Sequence, residues 1–394
     1  MKILMVNVPF SGHVNPTLPL AKELVERGHD VSYILTNQWK DRIEETGAVF
    51  IPYIDDADYN ISFRNGKPKN FLNALKAWKY AYNTIIAVGK DYDLLIYEFF
   101  TFTAYAAAQR LNLKTVRLFS TFAVSRENIG NILVSDNKQV SLLNNKFFVR
   151  LATKLVCRNI KLTTPNMLTE ITDVDVELNI VFTAKEFQKD SSSFDERYAF
   201  VGPCLGKRSD NVKIPFDEMN GKIIYISLGT LQNSHLKFYK DCMASFKNKS
   251  DVSVIMSVGK DINIDKLGTM PPNFYIYPFV PQLEVLKRSV LFITHGGMNS
   301  VNEGLILKNS LMVIPLDMDQ FAVADRVAEM GLGVKLKMAD VTADTLCDLA
   351  YRILSDCKMT ENVEKMSNLL QASGNLLHGL ETNLATSLQT PPEA

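Results

Sequence analysis

Along the first half of the chain, short apolar runs alternate with longer amphipathic ones. Residues 3–8 predict a buried strand. Residues 17–27 predict a helix, with Leu18, Ala21, Leu24 and Val25 on one face and Gly28 as its stop. Further strands are predicted at 31–35, 49–51, 94–97 and 115–119, with helices at 38–45 and over the Ala-rich 104–111. The second half repeats the plan, with strands at 222–227, 252–257, 274–277, 290–294 and 311–315 and helical patterns between several of them. Strands that alternate with helices imply a parallel sheet covered on both faces. Residues 55–75 and 120–150 fit the alternation poorly and predict loops and irregular helices.

A length of 394 residues suits two domains of nearly equal size, and the polar stretch 206–220 is the natural joint between them. Lys+Arg and Asp+Glu both number 43. A neutral chain argues against a nucleic-acid binder held by phosphate contacts. The five cysteines are scattered and form no C-x-x-C pair, which disfavours a disulfide framework or a zinc site and fits the cytoplasm. The apolar N-terminal run is too short for a signal peptide, and no stretch approaches the ~20 apolar residues of a membrane helix.

In an open parallel sheet, ligands sit beyond the carboxyl ends of the strands, so the turns after strands matter most. His13 stands in the first such turn, Pro9-Phe10-Ser11-Gly12-His13-Val14-Asn15-Pro16, either as a general base or as a helix-capping residue. Glu98 follows the strand at 94–97. It either orients His13 from a neighbouring strand or starts a helix. The third turn runs from Thr294 through His295, Gly296, Gly297, Asn299 and Ser300 to Glu303. Its glycines let backbone amides approach a ligand, and the helix it enters attracts phosphate through its N-terminus. Ser300 and His295 can donate to a diphosphate, and Glu303 can accept from a ribose hydroxyl. The phenylalanines Phe99, Phe100 and Phe122 surround Glu98 in sequence, and Trp78, Tyr80 and Tyr82 share a helical run. These aromatics suit either a core or the wall of a site for a flat, apolar molecule.

Two long segments carry a family resemblance. The first is the Gly12–Pro16 turn with Leu20-Ala21-Lys22-Glu23-Leu24 and Arg27-Gly28-His29-Asp30-Val31. The second runs from Phe279-Val280-Pro281-Gln282 through His295–Ser300 and Glu303 to Pro315 and Asp319-Gln320. In this order and spacing the chain resembles the UDP-glycosyltransferase superfamily of GT-B fold, in its bacterial macrolide and flavonoid branch. The resemblance implies two Rossmann-like α/β domains with parallel sheets facing across a cleft: an acceptor-binding domain at 1–205 and a donor-binding domain at 221–375. A C-terminal helix and tail, 376–394, would pack back on the first domain. By position, His13 resembles the general base and Glu98 stands where the family has an aspartate. Val280 and Gln282 resemble nucleobase contacts. His295, Asn299 and Ser300 resemble diphosphate contacts, and Glu303 the ribose contact. Asp319 and Gln320 resemble contacts to the sugar, and Ser227, Gly229 and Thr230 the loop beside the phosphates. Asp325 stands where many relatives carry asparagine.

The resemblance implies an inverting transferase that moves a sugar, glucose first among them, from a UDP- or dTDP-sugar co-substrate to a macrolide, flavonoid or other phenol. It implies no cofactor and no metal, although Asp317-Met318-Asp319 formally matches a metal-binding D-x-D. A monomer or homodimer is expected. Two other readings share the fold: a lipid or cell-wall glycosyltransferase at the membrane surface, for which Lys67, Lys69, Lys76 and Lys79 are the basic hint, and a nucleotide-sugar epimerase.

Overall fold

The computed structural model describes residues 1–54, 68–133, 145–206, 212–229 and 235–374. Residues 55–67 and 134–144 of the two poorly fitting stretches, together with Thr230, part of the joint (207–211) and the predicted tail at 376–394, lie outside the described residues. The chain divides into two compact units. One holds Met1–Gly206, joined by the end of the last helix from Ala372, and the other holds Lys207–Gln371.

The first unit is built on seven parallel strands: β1 (Lys2–Val6), β2 (Asp30–Leu35), β3 (Val49–Pro52), β4 (Leu94–Glu98), β5 (Lys114–Phe119), β6 (Leu178–Val181) and β7 (Tyr198–Phe200). Their order is β3-β2-β1-β4-β5-β6-β7. All five residues of β4 are buried, as a strand covered on both faces requires. Ile3, Met5, Val31, Tyr33, Leu94, Ile96, Val116 and Leu118 form the middle of one core with Leu18, Ala21 and Leu24 of the helix Thr17–Glu26. From β1 the chain first builds β2 and β3 to one side, then crosses to β4 on the other. The sheet therefore has its switch point between β1 and β4.

The second unit repeats this with β8 (Lys222–Ser227), β9 (Val252–Ser257), β10 (Phe274–Tyr277), β11 (Ser289–Thr294), β12 (Ser310–Val313) and β13 (Gly333–Lys335), in the order β10-β9-β8-β11-β12-β13. Here the switch point lies between β8 and β11.

Several expectations are corrected. Part of the stretch 55–75, predicted as loops and irregular helices, belongs to a long regular helix, Pro68–Val88. Its buried residues Ala77, Trp78, Ala81, Tyr82 and Ile85 recur at helical spacing. In the other stretch the helix Ile129–Leu133 forms, and the helix Lys146–Val156 begins and runs past its end. Strands β6, β7 and β13 were not predicted. Each has only three or four residues, too few to show a period.

Asn309 secures one helix end that the site depends on. Its Nδ2 donates to the carbonyls of Leu286 (2.8 Å), Leu307 (3.1 Å) and Gly304 (3.4 Å), and its Oδ1 accepts from Ser289 Oγ at 2.6 Å. This ties the end of the helix Met298–Ile306 to the starts of β11 and β12. Asn309→Leu strands several buried polar groups, and we expect it to lower stability by about 2–4 kcal/mol in chemical denaturation.

Candidate active site

The switch point of the first sheet gathers three side chains from three adjacent strands. After β1, the short helical turn Ser11–Val14 carries His13. Asn7 anchors this turn from below: its buried Nδ2 donates to the His13 carbonyl (2.9 Å) and lies within bonding distance of Tyr33 Oη (3.2 Å) and Thr17 Oγ1 (3.4 Å). Thr17 in turn donates to the Val14 carbonyl at 2.8 Å.

Glu98 is the last residue of β4 rather than a helix start; the next helix begins only at Thr103. Its side chain is fully buried, whereas that of His13 is 25% exposed. Glu98 Oε1 lies 2.9 Å from His13 Nδ1. Ser120, the first residue beyond β5, donates to the same oxygen at 2.8 Å and stands 3.1 Å from His13 Nδ1. The Phe100 amide donates to the other oxygen, Oε2, at 2.9 Å. A carboxylate only accepts, so the imidazole proton sits on Nδ1 and the lone pair on Nε2. That is the tautomer a general base needs.

Sequence reasoning missed Ser120. The available signal was its place directly after a strand adjacent to that of Glu98. The rings of Phe10, Phe100 and Phe99 stand 5.7, 5.8 and 6.3 Å from the His13 ring. Trp78 supports Phe100 by a 5.4 Å edge contact and by donating to its carbonyl at 2.7 Å. Phe122 is buried, its ring 5.7 Å from that of Phe187.

In the second unit the loops after β8, β11 and β12 converge. His295 is held between two glycines. A Cβ at Gly229 would come within 2.6 Å of its Cε1, and one at Gly297 within 2.7 Å of its Nε2. Gly229 also has φ +78, where an added side chain is strained. Gly296 lies against Val313 and the Gln320 carbonyl, which seats the His295 turn beside the loop after β12. The helix Met298–Ile306 starts at Gly297 with no side-chain cap, so the first-turn amides of Met298, Asn299 and Ser300 are directed out of its end.

Gln282 is held at both ends: Tyr225 Oη lies 3.1 Å from its Oε1, and its Nε2 donates to Glu303 Oε2 at 2.6 Å. Tyr225 was also missed; it is a buried strand residue stacked on Phe292. Val280 is buried just after β10 and Phe279 beside it is exposed. Gln320 Oε1 accepts from the amides of Leu316 (2.9 Å) and Asp317 (3.1 Å), shaping the turn that sets Asp319 as the residue before the helix Gln320–Glu329. Asp325 pairs with Lys335 Nζ at 2.5 Å, a local contact between its helix and β13. Ser227 lies 3.4 Å from the Gly229 amide; Thr230 lies outside the described residues.

Burial pushes the His295 imidazole down to about 4. At neutral pH it is therefore an uncharged group, able to donate one hydrogen bond but not to act as a fixed cation. Its Nδ1 is buried and has no hydrogen-bond partner among the described residues.

Comparison with known proteins places these loops in context. Residues 11–117 match the model of the glycosyltransferase family 28 N-terminal domain, and residues 243–374 that of the erythromycin biosynthesis protein CIII-like C-terminal domain. The chain is 35% identical to the NDP-glycosyltransferase YjiC and 32% identical to the uncharacterized UDP-glucosyltransferase YojK, both of Bacillus subtilis, over 94% of both chains in each case. It is 26% identical to the oleandomycin glycosyltransferase of Streptomyces antibioticus, over 94% of this chain and 87% of that one. Among solved structures, the glycotransferase of kitacinnamycin superimposes with a TM-score of 0.82 at 25% identity, covering 97% of this chain and 98% of that one. The calicheamicin glycosyltransferase CalG4 gives 0.78 at 26% identity, covering 98% of each.

The depressed His295 pKa carries a pH signature. In the folded chain burial disfavours the imidazolium, but in the unfolded chain it does not. As pH falls from 6.5 towards about 4, the unfolded chain takes up the proton first and stability declines. We expect His295→Gln to flatten this part of the stability–pH curve relative to wild type, as read from urea midpoints at a series of pH values.

Proposed function

The chain belongs to the UDP-glycosyltransferase superfamily of GT-B fold and is a glycosyltransferase, and on that premise we propose that it moves a hexose from a UDP-sugar to a hydroxyl of a small apolar acceptor, with His13 as general base and no metal. The observation that carries this reading is the contact set at His13: one buried carboxylate, reinforced by a serine and a backbone amide, holds Nδ1 and so presents Nε2 as the basic atom.

The reaction is a single displacement. An alcohol is a weak acid, so Nε2 takes its proton as the oxygen bonds to the anomeric carbon, not before. The C–O bond to the diphosphate breaks on the opposite face, which inverts the anomeric centre. Glu98 stabilises the imidazolium that forms. The charge growing on the diphosphate is met by the amides at the start of the helix Met298–Ile306 and by a neutral hydrogen bond from His295. Glu303, held by Gln282, accepts from the ribose, and Asp319 with Gln320 contacts the sugar. The aromatic surround of His13 favours a flat or apolar acceptor, such as a phenol or a macrolide.

The test is a mass-spectrometric transfer assay with phenols and macrolides, offering UDP-glucose and dTDP-glucose in the presence of EDTA. We expect a glycosylated product whose yield EDTA leaves unchanged. Loss of activity restored by magnesium or manganese would give Asp317 and Asp319 a metal, and conversion of the donor alone to another sugar would mark an epimerase.

A further inference from the structure

The helix Lys146–Val156 in the first unit is divided into three lengthwise stripes. Val149, Thr153 and, just beyond the helix, Cys157 are buried and face the protein. Beside them run Lys146, Arg150 and Lys154, spaced four residues apart and all exposed. On the far side lie Phe147, Phe148, Leu151 and Leu155. These are 80%, 41%, 49% and 71% exposed. A soluble-facing stripe is normally polar; isolated exposed apolar residues are common, but a contiguous row of large ones marks an interaction surface.

The charge beside this row names the partner. Arg158 and Lys161 continue the basic run and are exposed, and no acidic residue occurs from Lys146 until Glu170. Glu170 itself is buried, accepting from the amides and hydroxyls of Thr163 and Thr164, so it does not offset the surface charge. In a chain of zero net charge, this concentration of cations along an apolar row is local and one-sided. Large aromatic and aliphatic side chains flanked by Lys and Arg form the face by which a helix lies in the headgroup layer of an anionic bilayer.

We propose that the helix Lys146–Val156 docks the protein reversibly onto an anionic lipid surface. Phe147, Leu151 and Leu155 enter the acyl boundary while Lys146, Arg150 and Lys154 lie among the phosphates, their alkyl stems along the apolar layer. Among the described residues no helix is long and apolar enough to cross a membrane, so this contact is peripheral. The sequence hint for a membrane face lay elsewhere, at Lys67, Lys69, Lys76 and Lys79. The first of these lies outside the described residues, and the helix that carries the others supplies no exposed apolar row among its described side chains.

The experiment is co-sedimentation of the full chain with vesicles of phosphatidylcholine alone and with vesicles in which about a third of the lipid is phosphatidylglycerol. We expect sedimentation with the anionic vesicles only, weakened by raised salt. Phe147→Ser combined with Leu155→Ser should lower the partition coefficient at least about tenfold. Lys146→Glu, Arg150→Glu and Lys154→Glu together should lower it by about a hundredfold. All substituted positions are exposed, and unchanged melting midpoints certify folding of both variants. Failure of the wild type to sediment, equal binding to neutral vesicles, or undiminished binding by either folded variant would overturn the proposal. So would conversion of a wild-type dimer to monomer by the Phe147/Leu155 variant without any lipid binding, which would assign the row to a second copy of the chain.

Discussion

A strand buried on both faces of a parallel sheet offers side chains to a ligand chiefly at its carboxyl end, and the layout of the candidate site follows from that constraint. His13 lies just past β1, Glu98 at the end of β4, and Ser120 just past β5. Gly229, His295 and the Gln320 turn follow β8, β11 and β12. In each sheet these three strands are neighbours, although the chain reaches them far apart in sequence. The switch points therefore act as assembly devices: two sheets of like design collect His13, Glu98 and Ser120 in one unit and the loops that carry Gly229, His295 and Gln320 in the other.

Within this layout the least replaceable interaction is the burial of Glu98. A carboxylate removed from water is costly unless both its oxygens are hydrogen-bonded. Here the Phe100 amide, the Ser120 hydroxyl and His13 Nδ1 answer it. The same contacts that make the buried charge tolerable also fix the imidazole tautomer, so stability and chemistry rest on one group of atoms. Glu98 belongs to β4 itself, opposite Leu118, and reaches His13 at 2.9 Å. The second unit makes the complementary choice. His295 is packed between glycines and kept neutral by burial, so positive potential there comes from backbone amides.

Much of this was legible in the sequence. The central strands are continuous apolar runs, and the turns after them carry His, Gly and acidic residues in an order that resembles one family closely. The short strands β6, β7 and β13 were not legible. β6 contains a buried Asn179 that bonds Arg117, and β7 is three residues long, so both owe their form to pairing with neighbours rather than to local pattern. The helix Pro68–Val88 was hidden because its sequence opens with a proline and a run rich in Asn and Lys, which reads as loop. Ser120 and Tyr225 were hidden for a different reason. Each acts through side chains that only the strand order brings within reach.

The division of labour between the two units is the central claim, and one comparison tests it most directly. It is the turnover of His13→Ala measured beside its affinity for UDP by calorimetry. With the base removed and the donor loops of the second unit untouched, transfer should fall by about 10²–10⁴-fold while UDP affinity stays at the wild-type value. A variant that loses UDP binding together with turnover, or that keeps its turnover, would contradict the assignment of His13 as the base.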